Sequence, residues 1–256
     1  MSFKIEKLKN LPHKEDLIHW GELISSLALF TQAQTIVEIG VQYANCTFHL
    51  CEAAERTGGF VFGYDAFEPM KQGPYKSVSY GSLEKSKDKL KDFNNFKLSK
   101  INTHTAEFQE LLKQDLQDTP GRNAEIDLAF VDGCHSYAGT IRDFENLYPY
   151  MAKTGIMVFH DTYSHLGLRK LNIDLRTIFY DGTYDVIELP FGYGNRRLGL
   201  TILVKRSYPL THLGITNGTH EDVPDGLDMG KDDVYIYEDE FLINEVNNAP
   251  KRNKND

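Results

Sequence analysis

Acidic and histidine side chains stand at the ends of short apolar runs in this sequence. They are Glu38, Asp65, Asp132, His135, His160 and Asp161. Carboxylates bind divalent cations and accept hydrogen bonds from sugar hydroxyls, and a histidine can take up a proton near neutral pH. These residue types therefore indicate a site that combines cation or ribose binding with general-base chemistry.

The apolar runs alternate with segments whose apolar residues recur at helical spacing. Strands are predicted at 35–40, 60–65, 97–104, 126–132 and 155–161, and helices at 46–57, 83–93, 106–114, 138–148 and 166–179. This alternation indicates βαβ units and an α/β fold with a doubly wound, mainly parallel sheet. Because ligands bind at the carboxyl ends of such strands, the acids and histidines should meet at one edge of the sheet.

Further regions flank or complete this sheet. An amphipathic helix is predicted at 14–30, and apolar stretches at 184–189 and 198–205, joined by a short link, predict an antiparallel hairpin at the sheet edge. The predicted organisation is an N-terminal helical segment (1–32), a catalytic domain (33–206) and an acidic, partly disordered C-terminal arm (207–256).

Composition limits the function classes that remain. The chain has 256 residues, 41% of them hydrophobic and 25% charged, as expected of a globular protein. Its formal charge is −9, and residues 217–256 supply most of it with 11 acids against 4 bases, so no basic surface for a nucleic acid is predicted. Three cysteines without a Cys-x-x-Cys pair, and no run of about 18 apolar residues, predict a cytoplasmic protein without a disulfide framework or a membrane span.

The turn after the first predicted strand favours one class of cofactor over another. It contains a single glycine, Gly40, where a dinucleotide-binding turn has three, and Glu38 would repel a pyrophosphate. A cofactor with a cationic or hydroxylated group suits this turn better, and Asp65 could accept hydrogen bonds from ribose hydroxyls. The alternative is that Gly40 only forms a tight turn while Glu38 and Asp65 cap loops.

Four stretches carry a resemblance to a known family. They are Val37-Glu38-Ile39-Gly40, Tyr64-Asp65, the run 126–137 that ends in Val131-Asp132-Gly133-Cys134-His135-Ser136-Tyr137, and the run 155–162 that ends in His160-Asp161-Thr162. They resemble class I S-adenosylmethionine-dependent methyltransferases, in the branch that includes macrolide-sugar O-methyltransferases and proteins labelled cephalosporin hydroxylase. The resemblance covers roughly residues 33–206 and implies the Rossmann-like fold of that class.

The resemblance also implies roles for individual residues. Cofactor contacts are predicted for Glu38, Gly40, Tyr43, Thr47, Asp65, Thr105 and Asp132, with Glu38 near the methionine end and Asp65 on the ribose. Asp132, His160 and Asp161 would bind Mg²⁺ or Mn²⁺, and the catalytic residues would be Asp132 and His135, the latter as the base. The sequence departs from the family at Ala44, where many members have a second glycine, and at His160, where relatives often have a glutamate.

Simpler alternatives exist for these assignments. His160 could pack under the sheet while Asp161 caps the following helix, and His135 could orient Asp132 or bond a backbone carbonyl. Among the remaining histidines only His165 is a further candidate for a substrate contact, and the loop 66–81 is a candidate lid.

The predicted function is that of an S-adenosylmethionine-dependent, metal-assisted O-methyltransferase. It would act on a hydroxyl of a small molecule, for which the resemblance suggests a sugar or a sugar-containing metabolite. A nicotinamide-dependent oxidoreductase and a non-catalytic binding protein on a methyltransferase fold are the alternatives. The single glycine and Glu38 count against the first, and the presence of His135 beside the strand-end acids counts against the second. The long tail and the edge hairpin would suit a homodimer.

Overall fold

The protein is described from a computed structural model. The description covers residues 16–68, 81–118, 124–190, 192–193 and 196–207. Most of the candidate lid at 66–81 and almost all of the predicted arm at 207–256 lie outside the described residues. Within the described residues, no helix has the length and apolar character that crossing a bilayer requires.

Helices and strands alternate along the chain as predicted. The helices are α1 Asp16–Phe30, α2 Asn45–Thr57, α3 Leu83–Lys89, α4 Ala106–Gln117, α5 Tyr137–Leu147 and α6 Leu166–Asp174. The strands are β1 Thr35–Ile39, β2 Phe60–Asp65, β3 Phe96–Lys100, β4 Ile126–Val131, β5 Met151–His160, β6 Tyr184–Leu189, β7 Gly192–Tyr193, β8 Arg196–Arg197 and β9 Leu200–Lys205.

Seven of the strands form one sheet in the order β3-β2-β1-β4-β5-β9-β6. The strands from β3 to β5 are parallel, and β9 runs antiparallel between β5 and β6 at the sheet edge. The predicted α/β fold with a mainly parallel sheet and an antiparallel edge hairpin is therefore confirmed. The strand order reverses between β1 and β4, and such a reversal opens a crevice at the carboxyl ends of the two strands.

The sheet is buried on both faces, which explains the continuous apolar runs in the sequence. One face of the core includes Val37 and Ile39 together with Phe108 of α4, and the other includes Ile36 with Leu50 of α2. Neighbouring residues of β1 therefore point to opposite faces and both are covered. Helix α1 packs against α2 on the second face.

The boundaries of some elements differ from the predicted ones. β5 begins at Met151 rather than near Gly155, and its register with β4 shifts between Ile126 and Leu128. α6 ends at Asp174 rather than at 179, where the amide of Phe179 bonds back to the Asp174 carbonyl. The link between β6 and β9 contains the short β7–β8 ladder, which the sequence did not predict.

Candidate active site

The strand register brings the candidate residues to one edge. Ile39 of β1 pairs with Val131 of β4, and Val131 pairs with Phe159 of β5. The residues that follow these three positions, Gly40, Asp132 and His160, therefore lie side by side. Adjacent parallel strands are about 4.8 Å apart, close enough for the side chains that follow them to act together.

Gly40 is required by the close approach of two strand ends. Its φ is +93°, and a Cβ at this position would lie 2.1 Å from the carbonyl oxygen of Asp132. The Asp132 amide donates a hydrogen bond to the Ile39 carbonyl at 2.8 Å. A side chain at position 40 would push the two strand ends apart. The absence of a side chain at Gly40 therefore allows the turn after β1 to contact the loop after β4.

The rest of the β1–α2 turn also adopts left-handed backbone conformations. Gln42 has a φ of 51° and Ala44, immediately before α2, has a φ of 57°. A non-glycine residue pays about 1–2 kcal/mol for this conformation. Ala44 therefore keeps the backbone shape that a glycine would adopt most readily, although the sequence departs from the family pattern at this position.

Glu38 is a buried carboxyl group under this turn. Its side chain accepts a hydrogen bond from Thr47 Oγ1 at 2.5 Å, and both residues are almost fully buried. Burial raises the pKa of Glu38 to about 8, with Asp132 and Asp65 acting in the same direction and Thr47 opposing it. Thr47 therefore supports the carboxylate of Glu38, which would gain from a cationic ligand nearby.

Asp65 ends β2 and is tied to the same turn. Its Oδ2 accepts a hydrogen bond from the Gln42 amide at 2.8 Å, and its Oδ1 accepts one from the Phe67 amide at 2.6 Å. Burial raises the pKa of Asp65, and these amide bonds act against the rise. The main chain thus fixes the carboxylate at the strand end, where it can still accept a hydrogen bond from a ligand.

Tyr43 lies in the turn after β1, and Thr105 lies in the loop between β3 and α4. Tyr43 is partly exposed in the β1–α2 turn, with Lys85 Nζ 5.9 Å from the centre of its ring. Thr105 precedes α4, and its Oγ1 donates a hydrogen bond to the Asn102 carbonyl at 3.1 Å. The seven candidate cofactor residues are thus distributed over the ends of β1, β2, β3 and β4.

Four side chains meet where β4 and β5 end. His135 Nε2 lies 3.3 Å from Asp132 Oδ1 and 3.5 Å from Asp161 Oδ2. His160 Nδ1 lies 3.2 Å from the same Asp132 oxygen and 3.5 Å from Asp161 Oδ1. Two carboxylates therefore stand between two imidazoles. The Asp161 carboxylate does not cap α6, because that helix begins after His165 and Asp161 gives only its main-chain oxygen to Ser164.

These contacts displace the pKa values of the cluster. Burial disfavours the charged form of His160, but Asp132 and Asp161 outweigh it and raise the pKa of this imidazole to about 10. Burial would raise the pKa of Asp132, but His160 and His135 hold it well below its ordinary value. Burial would lower the pKa of His135, yet the hydrogen bond and charge of Asp132 raise it.

Buried polar atoms that lack a hydrogen bond indicate whether the cluster could bind a cation. Among the described residues, His160 Nδ1, His160 Nε2 and Asp161 Oδ1 are buried without a well-formed hydrogen bond, although His160 Nδ1 lies within ion-pair distance of Asp132 and Asp161. The ligand atoms of Asp132, His160 and Asp161 all lie within 4.8 Å of one another. Buried polar atoms are normally satisfied, so this set of two carboxylates and one imidazole fits a divalent cation.

His165 adds a second imidazole beside His135. Their rings are 4.6 Å apart and tilted by 32°. Burial and the neighbouring His135 lower the pKa of His165 to about 4. Asp161 stands between this pair and His160, and its backbone is in the left-handed region with a φ of 58°. A strained backbone at such a position is typical of functional sites.

A family model described as a methyltransferase domain matches residues 37–162, which include the turn after β1 and every member of the acid and histidine cluster except His165. Residues 37–162 therefore form a methyltransferase domain, and the sheet has the class I methyltransferase fold that the sequence predicted.

Solved structures share the fold of this methyltransferase at low sequence identity. The O-methyltransferase TomG from Streptomyces achromogenes, in complex with SAM, has a TM-score of 0.57 and 16% identity over 78% of this chain and 86% of that chain. An O-methyltransferase from Bacillus cereus, in complex with SAH, has a TM-score of 0.52 and 15% identity over 79% and 87%. No curated protein is significantly similar in sequence.

One contact of the methyltransferase site was missed from the sequence. The ring of Trp20 in α1 packs edge-on against the ring of His160, with 5.6 Å between the ring centres. Phe130 contacts the same imidazole from the sheet, at 6.0 Å. The helical spacing of apolar residues at 14–30 predicted a packed face for α1, but it gave no signal of which strand end that face would reach.

Proposed function

We propose that this methyltransferase transfers the methyl group of S-adenosylmethionine to a hydroxyl oxygen of a small molecule, with His135 as the general base. The main observation behind the proposal is the pairing of His135 Nε2 with Asp132 Oδ1 at 3.3 Å. This pair lies at the edge of the sheet where β1 ends and its turn begins. A histidine held by a carboxylate in an open crevice has the chemistry that proton removal from a hydroxyl requires.

The positions of the acids around His135 indicate which of its two ring nitrogens carries the proton. Asp132 and Asp161 both lie beside Nε2, so Nε2 carries the proton and Nδ1 has the free lone pair. In the transfer step, a lone pair of the acceptor oxygen attacks the methyl carbon, the carbon–sulfur bond breaks and sulfur keeps its electron pair. The acceptor proton goes to Nδ1 of His135, and the carboxylates stabilise the imidazolium that forms.

Glu38 and Asp65 would hold the cofactor in this proposal. Glu38 is a buried carboxyl with a raised pKa, and a positive charge at the methionine end of the cofactor would stabilise its ionised form. Asp65 is fixed by two main-chain amides at the end of β2 and would accept hydrogen bonds from ribose hydroxyls. Displacement at a methyl group depends mainly on alignment, so this positioning supplies much of the catalysis.

Asp132, His160 and Asp161 would hold a divalent cation, Mg²⁺ or Mn²⁺. Their buried atoms without a well-formed hydrogen bond and their two carboxylates support this assignment. When bound there, such a cation supplies Lewis-acid chemistry that lowers the pKa of a hydroxyl close to it.

A hydroxyl acceptor is also supported by the solved neighbours, two of which are named as O-methyltransferases. The motif resemblance favours a sugar or a sugar-containing metabolite as the acceptor. The match to a methyltransferase domain argues against the alternative of a nicotinamide-dependent oxidoreductase.

The test is methyl transfer from labelled S-adenosylmethionine to a panel of sugars, catechols and polyketides, read by mass spectrometry. We expect a product methylated on oxygen and a large loss of turnover in His135→Ala with S-adenosylhomocysteine binding retained. His49→Gln is the matched histidine control, because His49 lies on α2 beside Glu52, outside the cluster. Cofactor binding without transfer to any acceptor would favour the non-catalytic alternative, and wild-type turnover in His135→Ala would refute the base.

A further inference from the structure

His165, which lies beside the cluster at the ends of β4 and β5, has no part in the proposed reaction. We propose that His135, Asp161 and His165 form an inhibitory site for a transition-metal ion such as Zn²⁺. The inhibitory consequence rests on the proposed role of His135 as the base, whereas the binding site itself does not.

The three side chains are close enough to share one ion. One ligand atom from each lies within 4.8 Å of the other two, and His135 Nε2 is 3.5 Å from Asp161 Oδ2. Zinc binds nitrogen and oxygen ligands at about 2.0–2.2 Å, which places tetrahedral ligands roughly 3.4 Å apart. The His135–Asp161 pair already has this spacing, and a small rotation of the His165 ring, which lies over His135, completes the set.

The backbone between Asp161 and His165 holds these residues in a compact loop. The Ser164 amide and Ser164 Oγ both donate to the Asp161 carbonyl at 3.0 Å. The Tyr163 amide donates to the Leu198 carbonyl at 2.8 Å, which ties the loop to the strand hairpin. These hydrogen bonds therefore keep His165 close to Asp161.

The donor set distinguishes this site from the one at Asp132, His160 and Asp161. Two imidazoles and one carboxylate favour zinc, cobalt or nickel, whereas two carboxylates suit Mg²⁺ or Mn²⁺. The two sites use different edges of Asp161, with Oδ1 facing His160 and Oδ2 facing His135. Excess Mg²⁺ should therefore compete poorly for the two-histidine site.

Occupancy of the site would remove the base from the reaction. An ion bound to Nε2 of His135 takes the place of the proton on that nitrogen, so a neutral ring then carries its proton on Nδ1. Nδ1 would have no lone pair left for the acceptor proton. Zinc at this position should stop methyl transfer without displacing the cofactor.

The first experiment measures Co²⁺ binding by its visible absorption in excess Mg²⁺, with wild type, His165→Gln and the control His49→Gln. Even the loss of an outer partner of a metal ligand costs 10–100-fold in affinity, so His165→Gln should weaken Co²⁺ binding by at least about 100-fold. His49→Gln should bind as wild type does. Equal Co²⁺ affinity in wild type and His165→Gln, or full displacement by Mg²⁺, would overturn the site.

A wild-type measurement guards against a variant that fails to fold. Zn²⁺ titration followed by NMR of the histidine rings should shift the His135 and His165 signals together at one equivalent. Unchanged signals of these two rings would overturn the site whatever the variant does.

Activity separates this inference from the proposed function. Methyl transfer at constant Mg²⁺ should fall as Zn²⁺ fills the site in wild type, and His165→Gln should resist the same Zn²⁺ concentration. Full turnover with the wild-type site saturated would overturn the inhibitory role. Co²⁺ binding as expected in a protein that methylates no acceptor would support the site and refute the proposed function.

Discussion

His160 Nδ1 lies 3.2 Å from Asp132 Oδ1, although the two residues belong to the ends of different strands. With Asp161 Oδ1 at 3.5 Å, this imidazole lies against both carboxylates, which raise its pKa to about 10. A divalent cation and a protonated His160 would therefore both neutralise the two carboxylates, and an experiment can distinguish them.

The first prediction concerns removal of the metal. Treatment with EDTA should lower methyl transfer by about 100-fold or more, because a cation that polarises the acceptor is worth several kcal/mol in the transition state. Added Mg²⁺ or Mn²⁺ should restore the rate, measured by product formation at saturating cofactor. Full activity in EDTA would show that protonated imidazole suffices as the positive charge beside the carboxylates, and it would remove the metal from the proposal.

The second prediction concerns His135 and pH. His135→Ala should lose about 10²–10⁴-fold in turnover, the usual contribution of a general base, while its Kd for S-adenosylhomocysteine changes little. The base must be neutral, and the pKa of His135 is raised by Asp132. Wild-type turnover should therefore fall as the pH drops into the range in which His135 is protonated, and this acid limb should be absent from the residual activity of the variant.

The third prediction concerns the proton on Glu38. The pKa of this buried carboxyl is about 8, so Glu38 is mostly protonated near neutral pH without a ligand. A cationic group bound beside it favours the ionised form, so S-adenosylhomocysteine binding at about pH 7 should release up to about one proton, and almost none at about pH 9.5.

Calorimetry in buffers of different ionisation enthalpy measures this release. Glu38→Gln is the matched control, because the amide keeps the shape of the carboxyl but cannot titrate. A binding enthalpy that is independent of the buffer in wild type at about pH 7 would argue against a contact between Glu38 and the charged end of the cofactor.

The fourth prediction compares two glycines with positive φ. Gly40→Ala should lower the free energy of unfolding by about 3 kcal/mol or more, because its Cβ would overlap the Asp132 carbonyl in addition to the backbone strain. Gly58→Ala has a similar φ of +71° but no atom within 4 Å of the new Cβ, so it should cost only about 1 kcal/mol. Denaturant unfolding checks both values, and equal losses would show that the contact between the turn and the β4 loop is unimportant.

The parallel sheet could be predicted because buried strands leave a clear pattern. The run 126–131 is apolar except for Asp127 and is followed by the acid Asp132. The register of β4 and β5 then places Asp132 next to His160. The proximity of these residues to Asp161 follows from the sheet. Their roles as ligands and base stay predictions.

Other features depend on geometry that a sequence does not carry. The contact between the His135 and His165 rings depends on the path of the loop after β5, where Asp161 has a left-handed backbone that its residue type does not demand. The bond from Thr47 to Glu38 joins a strand end to the first turn of a helix, so it depends on how α2 leaves the turn. The left-handed backbone of Ala44 could not be predicted, because alanine rarely adopts this conformation.

The chain contains a single tryptophan, and its ring lies against the imidazole of His160. The intrinsic indole fluorescence of the whole enzyme therefore arises beside the strand-end acids. A paramagnetic ion bound to that imidazole would quench this emission, and loss of the proton from His160 would change it. The folded protein thus contains its own optical reporter of what occupies the carboxyl ends of β4 and β5, without any added label.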